Sequence, residues 1–241
     1  MWLFFFRICD FLCCLIPNRK WRTYMRHVKL FDWHRKYRAL KRAFPELNFK
    51  HTKMVKGGWN IGFIVDNKYV FKVRKKTDTN IPNDKIMREK RLTDALRKYS
   101  SLEILNIEIV KIDDYVFYKY KFIHGRNLNH FCAKTILKYR NIWGAQLAKF
   151  IYQIHNARPQ EIEDLRAGDG DGWNHNDICN NVIVDAGSMR IVGVIDWEYA
   201  GWGSLETEFE NCTKYSSAIR GSGIGDVIRT EYDKLVKKSE K

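Results

Sequence analysis

The feature that most constrains the fold is a change of period near Pro45. From there on, "HTKMVKGGWNIGFIVDNKYVFKVRKK" (51–76) alternates β-type residues around two turn signals, Gly57-Gly58 and Asp66-Asn67, and predicts three short antiparallel strands. "TDTNIPND" (77–84) reads as a loop. In "KIMREKRLTDALRKY" (85–99), Ile86, Leu92, Ala95, Leu96 and Tyr99 keep the spacing of one buried helical stripe. "IEIVKIDDYVFYKYKFI" (107–123) gives two more strands across Asp113-Asp114. The order β-β-β-α-β-β describes a small lobe built on an antiparallel sheet. After the connector "HGRNLNHF", residues 136–157 form a long helix with Trp143, Leu147, Phe150, Ile151 and Ile154 on one side. A Gly/Asp-rich loop, a strand "NVIVD", a turn at Gly187-Ser188, a strand "RIVGVID" and a helical tail follow. The chain therefore reads as α+β, with an arm over 1–48, an N-lobe over 49–123 and a mostly helical C-lobe over 124–241.

The arm is where charge becomes informative. The 241 residues carry a formal charge of +15, and residues 1–48 hold eleven Lys and Arg against three acids (Asp10, Asp32, Glu46). Such asymmetry suggests an anionic partner. The opening "MWLFFFRICDFLCCLIP" is not read as a signal peptide. Its basic residues follow the apolar run, no small-residue cleavage site is present, and Arg7 and Asp10 interrupt it. Closed by Pro17, it is short for a membrane span. An apolar helix beside a basic one fits a segment lying in a membrane interface, or a helical hairpin packed on the protein's own core. The six cysteines show no CxxC spacing, which argues against zinc and thioredoxin-like sites and for reduced thiols in a cytoplasmic setting.

Five places carry chemistry. Gly57 and Gly58, in "KGGWNIGF", sit in a strand-turn-strand where bare backbone can approach phosphates; most Gly-Gly turns are only turns. Lys72, in "YVFKV", follows by one hairpin, where a nucleotide-positioning lysine belongs. Glu89 shares the apolar stripe of its helix. A carboxylate there needs a partner, for which Lys72 is the candidate, or it sits at the stripe's edge in water. In "HNDICNNVIVD" (175–185), Asp177 is placed to accept the proton of an attacking hydroxyl. In "GVIDWEYAG", Asp196 is placed to bind magnesium on nucleotide phosphates. Two strands and a turn join these last two, so both carboxylates can return to one place. "GDGDGWN" (168–174) begins like a calcium loop, but Trp173 and Asn180 occupy ligand positions and the set fails.

With "MREKRLTDAL", "FIHGRNL" and "LAKFIYQIHN", these motifs resemble the aminoglycoside phosphotransferase and choline kinase family, small-molecule kinases of bilobal protein-kinase-like fold. The matching segments spread over residues 51 to 203. The resemblance implies ATP held by Lys72, Glu89 and a hinge near Lys119–Phe122, with Asp177 as base and His175 as a structural histidine. It also implies an Asn and Asp196 on magnesium, with Glu198 at a second ion. The loop departs from the family by one residue. Relatives place the Asn five after the Asp, where this chain has Val182. Asn181 immediately precedes the strand and takes the metal-ligand slot in that frame, while Asn180 keeps the assignment open.

The strongly basic composition disfavours a polycationic acceptor. The arm's loose resemblance to proteins of bacterial surface-polysaccharide assembly points to a sugar hydroxyl of a lipopolysaccharide-type glycolipid, phosphorylated at the inner face of a membrane. A choline or ethanolamine kinase is the alternative. A reading of another class is an inactive scaffold binding an anionic surface or nucleic acid. Aromatics do interleave with the basic residues of the arm, but no nucleic-acid motif accompanies them, and nucleic acid is not the expected partner.

Overall fold

The structure, a computed structural model, describes residues 8, 11–24, 32–56, 60–74, 83–214 and 216–240. They divide into two units, one drawn from Met1–Asn80 and Glu108–Phe122, the other from Ile81–Ile107 and Ile123–Lys241.

The first unit holds helices α1 (Arg19–Tyr24) and α2 (Asp32–Ala43), and strands β1 (Thr52–Lys56), β2 (Asn60–Val65) and β3 (Tyr69–Arg74). Skipping β4 (Glu103–Ile104), which belongs to the second unit, it continues with β5 (Glu108–Ile112) and β6 (Tyr115–Lys121). The five strands form one antiparallel sheet in the order β1-β2-β3-β6-β5. The β2–β3 turn shows why Asp66-Asn67 was a good signal. Both residues take positive φ, 52° and 53°, which short polar side chains tolerate and tight hairpins require. The Asp66 carboxylate also accepts from the backbone N–H groups of Asn48, Phe49 and His51 at 3.1–3.4 Å, tying the entry of the sheet to its first hairpin.

One sheet face is covered by α2. Leu40, fully buried, joins Phe49, Ile61, Phe63, Val65, Phe71, Val73 and Phe117, and Trp33 and Tyr37 pack against that cluster. Here the boundary expected at residue 48 is drawn differently: α2 belongs with the sheet because its apolar stripe is needed to bury it. Lys36 on the same helix is fully buried. Its Nζ donates to the Arg74 carbonyl at 2.6 Å and lies 5.6 Å from the centre of the Tyr115 ring. Arg42 pairs with Asp113 at 2.7 Å. These two cations are therefore occupied within the protein. The earlier part of the arm differs: Ile8, Phe11, Leu12, Leu15 and Trp21 are exposed. Trp2 to Phe6 lie outside the described residues.

The second unit contains α3 (Asn83–Leu96), β4, β7 (Arg126–Asn127), α4 (Ala133–His155), β8 (Gly172–Asn174), β9 (Val182–Val184) and β10 (Ile191–Val194). It ends with β11 (Gly201–Gly203), α5 (Leu205–Thr213), α6 (Ser217–Gly221) and α7 (Ile224–Ser239). The strands make a four-stranded sheet, β4-β10-β9-β7, and a separate β8–β11 pair. The core is aromatic: Trp143, Trp173, Trp197 and Phe150 are all buried, with Leu92 and Leu96 of α3 among them. That burial places α3 in this unit, where the sequence expectation had grouped it with the sheet. Long helix α4 packs against α7, and Gly144 permits the approach, since a Cβ there would meet Val227 Cγ1 at 2.6 Å. The architecture is thus the expected α+β one, an antiparallel sheet and a mostly helical part. Among the described residues, no helix is long and apolar enough to cross a membrane.

Candidate active site

The loop 175–181 connects β8 to β9, and its strained start is held from three sides. Asn176 sits at φ 65°, a left-handed conformation in which asparagine is among the more tolerant residues. Its N–H donates to Glu208 Oε2 at 2.8 Å, and its Nδ2 donates to the Tyr199 carbonyl at 3.0 Å. His175 is buried and packs its ring 4.9 Å from that of Trp197. Its Nδ1 accepts from the Asp177 N–H at 3.3 Å, so Nε2 carries the proton and donates to the Ile195 carbonyl at 3.1 Å. Burial lowers its pKa, although the Ile195 carbonyl, Asp196 and Asp177 pull the other way. His175 is therefore a neutral brace of the loop.

Asp177 is oriented by the two asparagines whose spacing was in question. Asn180 Nδ2 donates to Asp177 Oδ1 at 2.6 Å, and Asn181 Nδ2 donates to Asp177 Oδ2 at 3.0 Å. The short loop manages this as a tight turn in which the Asn181 N–H bonds the Ile178 carbonyl at 2.8 Å. Ile178 and Cys179 are buried beneath it, so the turn is pinned by apolar burial while its polar residues face outward. Asn127 Nδ2 adds a bond to the Asn180 carbonyl at 2.7 Å.

Asp196 follows β10, and the β9–β10 ladder sets its neighbour. The Ile195 N–H donates to the Asn181 carbonyl at 2.9 Å, one step beyond the Val194–Val182 pair. Asn181 thus stands opposite Ile195, the residue before Asp196, at the ends of adjacent antiparallel strands. Asp196 takes φ 61°, turning the chain into the short helical turn Trp197–Tyr199. Buried Glu89 of α3 braces that turn, its Oε1 accepting from the Trp197 N–H at 3.2 Å. Arg88 Nη1 donates to the Ala200 carbonyl at 2.6 Å. Glu198 is half-buried within the turn. The second unit therefore brings together Glu89, Asp177, Asn181, Asp196 and Glu198. Lys72 lies in the first unit, buried on β3 opposite Gly62 and Tyr118, with Nζ 5.6 Å from the Tyr118 ring centre. Gly57 and Gly58 lie outside the described residues.

Beside Asp177 a cavity of about 750 Å³ opens, lined by Asn176, Asp177, Asn180, Tyr199, Thr207, Asn211 and Lys214. The sequence reading missed this wall, which comes from α5, and it missed Glu208. Glu208 is buried, and burial raises its pKa to about 7, with Asp177 adding to the rise and the Asn176 and His175 N–H groups opposing it. Its Oε1 has no hydrogen-bond partner. Beyond it, Cys179 and Cys212 bring their sulfurs to 3.4 Å, joining the loop's underside to α5. The period that flagged Glu89 also marks Glu208: Leu205, Glu208, Phe209 and Cys212 share one helical face.

Comparison with known proteins agrees with this geometry. The profile of the phosphotransferase enzyme family matches residues 160–231, which contain the loop, Asp196 and α5. This segment is similar to that family. Solved structures of similar fold are aminoglycoside phosphotransferases. The streptomycin–ATP ternary complex of APH(2")-IIa is 16% identical, with TM-score 0.62 over 81% of each chain. ADP-bound APH(2'')-Ib is also 16% identical, with TM-score 0.63 and 81% of each chain covered. The GDP and kanamycin complex of APH(2")-IIia is 13% identical, with TM-score 0.65 over 85% of this chain and 86% of that one. No curated protein sequence matches the chain. The fold is protein-kinase-like, as the motifs implied, and the family match over residues 160–231 supports a phosphotransferase enzyme.

Proposed function

We propose that the enzyme transfers the γ-phosphoryl group of ATP to a sugar hydroxyl of a membrane-linked glycan, of the lipopolysaccharide type. The observation that carries this reading is the cavity beside Asp177. Apart from Asp177 itself, its described lining residues include no carboxylate, and amide and hydroxyl groups dominate among them. Such a wall suits a polyhydroxylated ring, which needs many neutral hydrogen-bond partners. Tyr199, 58% exposed at its edge, offers a flat face for a ring. A polycation would want acids, and a quaternary ammonium would want several aromatics; Tyr199 is the one aromatic lining residue among those described. The choline or ethanolamine reading is weaker for that reason.

In this reading Asp177, held by Asn180 and Asn181, takes the proton of the attacking hydroxyl. Lys72 and Glu89, with Gly57 and Gly58, serve ATP. Magnesium would be held by Asn181 and Asp196, with Glu198 near a second ion. Asn181, opposite the residue before Asp196, and Asp196 would offer one amide oxygen and one carboxylate. Magnesium fits this sparse set, because it keeps waters and shares its shell with phosphates. No cluster of three or more His, Cys, Asp or Glu suited to a metal occurs among the described residues, so an all-protein cage is not the alternative. Bound there, the ion supplies charge neutralisation to the transferred phosphoryl group.

The exposed Ile8, Phe11, Leu12 and Leu15, with Trp21 and the basic Arg19 and Arg22, support attachment of this segment to an anionic membrane at the cytoplasmic face. The testing experiment is a transfer screen with γ-labelled ATP and magnesium against lipid-linked saccharides, choline and ethanolamine. Label should enter the saccharide. Asp177→Asn should lower turnover by about 10²–10⁴ while nucleotide affinity is kept, as expected for loss of a general base. Label in choline alone, or a full rate from Asp177→Asn, would refute the reading.

A further inference from the structure

Two nucleophilic side chains beneath the loop 175–181 have no part in the function proposed above. Cys179 lies in the loop itself, beside Asn180 and two residues after Asp177, and Cys212 lies on α5. They are 33 positions apart in the chain, yet their sulfurs stand 3.4 Å from each other. Both are buried, at 1% and 2% exposure, whereas Cys14 and Cys132 are exposed.

Packed thiols commonly do no more than fill a core. The placement of this pair goes further, because each sulfur belongs to a different wall of the cavity. On the loop side, Asp177 and Asn180 line the cavity and are joined by a 2.6 Å bond that spans Cys179. On the helix side, Cys212 adjoins Asn211, another lining residue. Cys212 also lies one turn after Glu208, whose carboxylate accepts from the Asn176 N–H. A disulfide holds its sulfurs at about 2.0 Å, so the two stand about 1.4 Å short of a bond. Closing that gap draws the loop and α5 together at a point between Asp177 and Asn180.

We propose that Cys179 and Cys212 are a site of reversible oxidation, at which a peroxide forms a disulfide that displaces the loop and silences Asp177. The silencing rests on the role given to Asp177 above; the bond itself does not. Cys179 is the sulfur that attacks first. The hydrogen bond shared with Cys179, and then burial, push the Cys212 thiol well above its usual range, so Cys212 arrives protonated. The Cys179 thiolate attacks one peroxide oxygen, the O–O bond breaks, and hydroxide leaves to take up the thiol proton as water. The Cys212 sulfur then attacks the resulting sulfenic acid. An S–S bond forms, the S–O bond breaks, and hydroxide departs with the Cys212 proton as a second water. One peroxide is reduced by two electrons and two thiols are oxidised. A bond of this kind is transient in a reducing compartment, where thiol reductants reopen it.

The experiment treats the full-length protein with hydrogen peroxide, blocks the remaining thiols with N-ethylmaleimide and maps the digest without reductant. A peptide joining Cys179 to Cys212 should form, and dithiothreitol should dissolve it. Amide exchange over residues 175–181 should change on oxidation and return on reduction. Label transfer from ATP should fall by on the order of 10²-fold in the linked protein, as expected when a catalytic group is misplaced by about 1 Å, and should recover with dithiothreitol. Cys212→Ala and Cys212→Ser should show neither the linked peptide nor the change in exchange; two replacements are used so that one survives if the other fails to fold. Absence of the linked peptide once Cys14 and Cys132 are fully oxidised would overturn the proposal. So would a link that leaves exchange and transfer unchanged, or an equal loss of transfer in Cys212→Ala. A link that alters exchange in a protein that transfers to no acceptor when reduced would uphold the oxidation site and refute the parent reading. Transfer without a link would do the opposite.

Discussion

Replacing Glu208 with Gln should make the protein more stable at alkaline pH than at acid pH, relative to the unaltered chain. Glu208 is 2% exposed, accepts one 2.8 Å bond from the Asn176 N–H, and leaves Oε1 without a partner. Its pKa rises from the ordinary 4.5 to about 7, burial being the main cause. The sign follows from proton counting. Between those values the folded protein keeps a proton that the unfolded chain has released. Stability from this group is therefore complete below the lower value, falls as pH rises, and levels off above the upper one. A rise of that size corresponds to about 3 kcal/mol across the window. Glutamine has nearly the same shape, can still accept from Asn176 through its oxygen, and does not titrate. The stability difference, variant minus parent, should thus grow by about 3 kcal/mol from pH 4.5 to pH 7 and then remain flat. For a chain of this size that is a shift of roughly 6–12 °C in relative melting temperature. Urea unfolding of both proteins at intervals from pH 4.5 to pH 8 reads it directly, and titrations common to both proteins cancel. A constant offset across the range, or one that shrinks as pH rises, would refute a buried, proton-holding Glu208.

Three further outcomes are expected. Asn181→Ala should raise the magnesium concentration needed for half-maximal transfer far more than Asn180→Ala does, because Asn181 bonds the strand that leads into Asp196 whereas Asn180 lines the cavity beside Asp177; kinetics at varied magnesium will give the ranking, and the reverse order would reassign the loop. Replacing Phe11, Leu12 and Leu15 together by Ser should lower sedimentation with anionic vesicles by at least about 100-fold, at roughly 1.5–3 kcal/mol per buried apolar side chain, and should leave the melting temperature nearly unchanged because all three are exposed. Gly144→Ala should destabilise by about 1–2 kcal/mol in urea unfolding: the 2.6 Å approach of the new Cβ to Val227 Cγ1 outweighs the helix-propensity gain of about 1 kcal/mol.

Some of the protein is determined by short-range chemistry and is legible in the sequence alone. The strands around Asp66-Asn67 and Asp113-Asp114 follow from alternation and from turn residues that accept positive φ, as Asp66, Asn67 and Asp113 do. That the ends bearing Asn181 and Asp196 approach each other follows from two adjacent strands with one turn, whatever surrounds them. Helical period placed the Glu89 carboxylate on a buried face, and it is buried.

What the sequence could not decide depends on segments distant along the chain. Lys36 counted as one more basic residue of the arm, yet the sheet's need for an apolar cover draws α2 down and gives the ammonium the Arg74 carbonyl instead of water. Glu208 and Lys214 lie 31 and 37 residues beyond Asp177, and only the return of α5 over the loop makes one the brace of Asn176 and the other a wall of the cavity beside Asp177. Period and spacing report which face of an element is buried. What that face meets is set by tertiary packing, and there the desolvation that raises the Glu208 pKa arises.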